Sequence, residues 1–119
     1  MAIGLGLGLS AGNYVLDVAS DEHKIVYGIS YLELHDMSFV QYKNEFDKPA
    51  TFLIEPIPLT LEWLLKFGFN GTDIDNYTIV LSNGNFFILD CPVPIATNIY
   101  YVHELQNLYF ALTGKQLTV

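Results

Sequence analysis

The stretch Pro56-Ile-Pro-Leu-Thr60-Leu-Glu-Trp63-Leu-Leu-Lys-Phe-Gly68-Phe69 constrains the fold more than any other, because both ends of a short helix are written into it. The Thr60 hydroxyl is placed to accept from a free N–H of the first turn, and Glu62 sits where the helix dipole favours a carboxylate. Gly68 can take the left-handed conformation that ends a helix, which lets Phe69 fold back on Leu64 or Leu65. Trp63, Leu64 and Phe67 carry more apolar surface than so short a helix hides by itself. The helix is therefore expected to be a hub of the core, covered by strands from both sides of the sequence.

Those strands are legible. Residues 14–18, 24–34, 37–42 and 50–54 are short runs rich in β-branched and aromatic side chains, with turns at 20–23, 35–36 and 43–49. Gly28 interrupts the longest run and reads as a bulge or bend that curls the sheet. Beyond the helix, residues 70–76 read as a polar turn, and residues 77–81 and 85–89 flank Ser82-Asn83-Gly84, whose Asn-Gly pair accepts the positive φ of a tight hairpin turn. A second helix, capped by Asn98 or Thr97 and ending before Gly114, is predicted next, with a short closing strand over 115–119.

The expected class is α+β: a small curled antiparallel sheet or SH3-like barrel, followed by helix, β-hairpin and C-terminal helix. At 119 residues and 51% hydrophobic, the chain suits one domain over 1–119, with no internal boundary sharper than the crossing at Pro56 and Pro58. Residues 1–9 alternate Ile or Leu with glycine and read as an edge strand or a frayed arm, too short to span a bilayer or to act as a signal peptide.

The formal charge is −8, with thirteen carboxylates against five lysines and no arginine. Proteins that grip a phosphate backbone cluster Lys and Arg, so direct nucleic-acid binding is not expected. Cys91 is the only cysteine, which rules out a disulfide within the chain and a thiolate metal cluster, and fits a reducing cytoplasm. With Asp90 and Pro92 beside it and no cation, it reads as inert packing. Asn70-Gly-Thr72 and Asn76-Tyr-Thr78 match the glycosylation acceptor pattern without a secretory signal to support its use.

Catalysis needs converging groups, and the sequence offers few. His23, His35 and His103 have no partner at helical ligand spacing. Asp73-Ile-Asp75-Asn76 opens like a calcium loop but lacks the glycine and glutamate that would complete it, and Gly4-x-Gly6-x-Gly8 lacks the third glycine of a dinucleotide loop. No catalytic, cofactor or metal residues are assigned. His35 and Asp36, at a turn, mark the one place where a pocket for a small ligand or an enzymatic base is considered.

On the second helix, a step of about 100° per residue puts Tyr101, Val102, Leu105, Leu108, Tyr109 and Leu112 in one stripe, with His103, Gln106, Asn107 and Phe110 turned away. An aromatic ring on that polar side is covered either by a second layer of the same protein or by a partner. His103, Gln106, Asn107 and Phe110 are thus the candidate protein contacts. The loop acids Glu45, Asp47, Asp73 and Asp75 are the candidates for a surface that imitates nucleic-acid phosphates.

The stretch from Glu55 to Gly68, together with Tyr101-Val-His-Glu-Leu-Gln-Asn-Leu-Tyr-Phe-Ala-Leu-Thr-Gly-Lys-Gln-Leu-Thr118, resembles a family of small uncharacterised proteins of Bacteroidetes bacteria and their phages or mobile elements. Asn13-Tyr-Val-Leu resembles that family's opening strand, whereas residues 4–9 depart from its more polar start. The resemblance implies a bacterial cytoplasm and a phage-borne gene, and brings no activity or catalytic residue. The expected function is a non-enzymatic interaction module, in its sharpest form an acidic phage inhibitor of a host defence or nucleic-acid-handling protein. The alternatives are a small-ligand protein or enzyme, and a structural protein that assembles, as a homo-oligomer, through its N-terminal strand.

Overall fold

A computed structural model describes residues 8–32, 37–45, 51 and 53–119. The readings placed on residues 1–7 and on His35, Asp36 and Asp47 lie outside the described residues. The architecture is α+β, with two four-stranded antiparallel sheets, two helices and no closed barrel among the described residues. The chain divides into two compact units, residues 1–57 and 58–119, and the division falls at the proline crossing.

In the first unit, β1 (Tyr14–Asp17), β2 (Glu22–Leu32), β3 (Met37–Tyr42) and β4 (Ile54–Glu55) lie in the order β3-β2-β1-β4. The register of β2 on β3 shifts between Val26 and Gly28, so the glycine does mark a bulge. Val15, Val26, Val40, Tyr42 and Ile54 form a buried cluster with Leu9 packed against it. Register puts Val15 opposite Lys24 and Asp17 opposite Glu22, so the sheet face that is apolar at one end becomes polar at the other. Of the strand expected over 50–54, Thr51 makes a single bridge to Val40, and Ile54 with Glu55 pairs to β1.

The second unit opens with α1 (Leu61–Lys66), and its caps are those the sequence announces. Thr60 Oγ1 accepts from Trp63 N at 3.4 Å. Gly68 is left-handed at φ +94°, Phe69 N donates to Leu64 O and Gly68 N to Leu65 O, and Phe69 and Leu64 are both buried. That pair of bonds closes the Schellman motif.

The second sheet has the order β5-β6-β7-β8, from β5 (Asp73–Ile74), β6 (Tyr77–Val80), β7 (Asn85–Ile88) and β8 (Pro94–Ala96). The expected hairpin is there, with a four-residue loop in which Gly84, not Asn83, is left-handed. β5 and β8 are additions: the first lies within a stretch read as a turn, and the second falls between the expected hairpin and the second helix. Pro94 can occupy β8 because that strand is at the sheet edge.

The second helix, α2 (Val102–Thr113), starts later than expected. Asn98 is left-handed at φ +67°, Ile99 N donates to Gly84 O, and Leu59 N donates to Tyr100 O, so residues 98–101 are held out of the helix. Glu104 Oε1 instead accepts from the N–H groups of Tyr100 and Tyr101, both at 3.0 Å. Gly114, left-handed, ends α2 as expected. The closing strand does not form; Leu117 is buried from an extended tail.

Candidate functional site

Two places on the molecule gather chemistry. The first is an open cleft of about 290 Å3 at the polar end of the first sheet, lined by Asp17, Ala19, Ser20, Glu22, Lys24, Tyr42, Glu45 and Thr51. Asp17, the last residue of β1, is buried. Its Oδ1 accepts from the Tyr42 hydroxyl at 2.7 Å, and its Oδ2 accepts from Ser20 Oγ at 2.6 Å and Ser20 N at 3.2 Å. Burial works to raise the Asp17 pKa, but the bonds from Ser20 and Tyr42, with the charge of Lys24, outweigh it and hold the carboxyl below its usual value. Burial and the same carboxylate push the Tyr42 hydroxyl well above the ordinary phenol range.

Lys24 Nζ lies 3.0 Å from Glu45 Oε2, 4.0 Å from Glu22 Oε1 and 6.0 Å from the centre of the Tyr42 ring. The cleft is thus an ion-paired, hydrogen-bonded pocket in which the single lysine is already matched. Nothing in the sequence points to it: its residues come from β1, β2, β3, the turn between β1 and β2 and the segment after β3, with no motif spacing. Glu45 alone was singled out there, as a loop acid, and it serves Lys24.

The second place is α2. Val102, His103, Leu105, Gln106 and Tyr109 are its buried residues. The buried face is therefore not the expected apolar stripe but one rotated from it by roughly 80°. Gln106, 1% exposed, donates from Nε2 to Leu117 O at 3.0 Å. His103, also 1% exposed, stacks on the Tyr101 ring at 5.9 Å. These two side chains are therefore interior groups. Tyr101 and Leu112, assigned to the core stripe, are exposed instead. Asn107 is half-buried, and Phe110 stands 55% exposed.

Of the acids grouped as phosphate mimics, the Glu45 carboxylate is spent on Lys24 and that of Asp75 accepts from the Tyr109 hydroxyl, while Asp73 pairs with Thr78 through its backbone in the second sheet. Glu45 belongs to the first unit, Asp73 and Asp75 to the second. No protein family, curated protein or solved structure compared with the chain matches it. Among the described residues, no group of three His, Cys, Asp or Glu side chains is placed to hold a metal ion, and no helix is long and apolar enough to cross a membrane.

Proposed function

We propose that this chain is a non-enzymatic protein-interaction module whose contact surface is centred on Phe110. The observation that carries the reading is the 55% exposure of that ring on a helix fixed elsewhere by its neighbours. α2 is capped by Glu104 and Gly114, Tyr109 is bonded to Asp75, and Gln106 to the tail. A docking partner would therefore order little that is not already ordered, which lowers the cost of association. Burying a phenylalanine is worth about 1.5–3 kcal/mol.

The partner is another protein presenting an apolar pocket, and the −8 charge favours one with basic residues around it. A phage-encoded inhibitor acting in a bacterial cytoplasm is the specific version that the family resemblance suggests. Phosphate mimicry is its weaker form, since the carboxylates of Glu45 and Asp75 are engaged within the protein. The test is capture with tagged protein from a Bacteroidetes lysate, comparing wild type with Phe110→Ser after near-ultraviolet circular dichroism shows both folded. A stoichiometric partner lost with Phe110→Ser supports the reading; equal recovery with both proteins removes Phe110 from the contact.

The cleft beside Asp17 favours a second reading, a small-ligand protein. Its volume suits a fragment-sized polar molecule rather than an extended substrate. Chemical-shift mapping with a library of small amines and sugars tests it: shifts confined to Ser20, Lys24 and Thr51 support a ligand site, and a silent cleft counts against one.

A further inference from the structure

The chain contains two surface Asn-Gly pairs, Asn70-Gly71 and Asn83-Gly84, and the fold treats them oppositely. We propose that Asn70 is a site of spontaneous deamidation, while Asn83 is protected by the tertiary structure. In this reaction the amide nitrogen of the following glycine loses its proton and bonds to the asparagine Cγ. The bond from Cγ to the side-chain nitrogen breaks and ammonia leaves. The resulting succinimide takes up one water and opens to aspartate or isoaspartate. Glycine is the most permissive following residue, because no Cβ hinders the approach of its nitrogen.

At Asn83 each requirement is blocked. Asn83 Oδ1 accepts from Asn85 N at 3.0 Å, which turns the side chain forward, and Gly84 N donates to Val80 O at 2.9 Å. Gly84 is buried, and a Cβ built on it would lie 2.9 Å from Ile99 N and 3.1 Å from Ile99 O, so the peptide has no room to turn. At Asn70 the opposite holds. Asn70 and Gly71 are both exposed, nothing lies within 4 Å of the position of a Gly71 Cβ, and the Gly71 N–H donates to no acceptor among the described residues. The backbone N–H and C=O of Asn70 bond to Asp73 at 2.7 and 3.1 Å, which holds the main chain and leaves the side-chain amide to swing towards the Gly71 nitrogen.

The product changes more than one charge. Aspartate adds a carboxylate to a turn that already holds Asp73 and Asp75, and isoaspartate lengthens the main chain inside the bridge that starts β5.

The experiment incubates the full chain at mildly alkaline pH and follows both sites by peptide mapping, reading the mass gain from loss of ammonia and uptake of water. A parallel incubation is made in concentrated urea. In the native protein Asn70 is expected to react about tenfold or more faster than Asn83, because Asn83 reacts only after local opening. In urea the two rates are expected to converge. Equal native rates, faster reaction at Asn83, or a difference that persists unchanged in urea would each overturn the proposal.

Discussion

The Tyr42 hydroxyl donates to Asp17 Oδ1 at 2.7 Å, joining the ends of β3 and β1 across the strand that separates them. Both side chains are buried, on the face where the apolar cluster gives way to the cleft. A carboxylate in that position would be costly to desolvate alone, and three donated hydrogen bonds replace its water.

Tyr42→Phe is therefore expected to destabilise the protein by about 1.5–3 kcal/mol, the range for a bond to a charged group. The pH dependence has a definite sign. The Asp17 carboxyl is held below its usual 3.8 in the folded state, so its contribution is present above that value and is lost as pH falls through the folded value. Urea midpoints measured at neutral pH and near about pH 3 check both points: the wild type weakens in acid, and Tyr42→Phe weakens less steeply. An unchanged neutral midpoint in the variant would show that the bond contributes nothing.

Tyr109 provides the alkaline counterpart. Burial and its bond to Asp75 push its hydroxyl up to about 12 from the usual 10.0. The stabilisation is complete below the usual value and declines as pH rises towards the folded one. Tyr109 and Tyr42 are both expected to ionise above the usual phenol value. An ultraviolet titration of tyrosinate checks this, with Tyr109→Phe deleting one late-ionising phenol; a variant lacking only an early one would contradict it.

Gly84→Ala is expected to cost at least about 2 kcal/mol. The left-handed backbone alone costs roughly 1–2 kcal/mol for an L-residue, and the new methyl meets the Ile99 backbone at 2.9 Å. Gly28→Ala is the control, with open space at the Cβ and no positive φ, and is expected to stay within about 0.5 kcal/mol of wild type. Thermal midpoints of the two variants separate the effects.

Gln106→Leu removes the donor to Leu117 O and leaves a carbonyl beside a buried residue without that partner, at an expected cost of about 1–3 kcal/mol. Hydrogen exchange localises the change: protection is expected to fall in residues 115–119 and at the end of α2 more than in the first unit. Uniform loss of protection would mean that Gln106 does not tether the tail specifically.

The residues that were legible share one property, that their partners are close in sequence. Thr60, Gly68 and Phe69 cap α1 through bonds reaching no more than five residues, and the β6–β7 hairpin closes over four. Gly28 announced its bulge because a missing side chain is a local fact. The burial of α2 was only half legible. Val102, Leu105 and Tyr109 declared themselves by apolarity, while His103 and Gln106 look polar until the Tyr101 ring and the Leu117 carbonyl are in place.

By itself the sequence determined the α+β class, the alternation and approximate limits of most strands and the ends of α1, because hydrophobic period, caps and turn residues act over a few positions. Tertiary structure alone decided the start of α2, the edge strand β8 and the cleft around Asp17. In each, a backbone or polar side chain is satisfied by a partner distant in sequence: Gly84 for Ile99, Phe87 for Pro94, Tyr42 for Asp17. A buried polar group must find its partner somewhere, but only the folded chain says where.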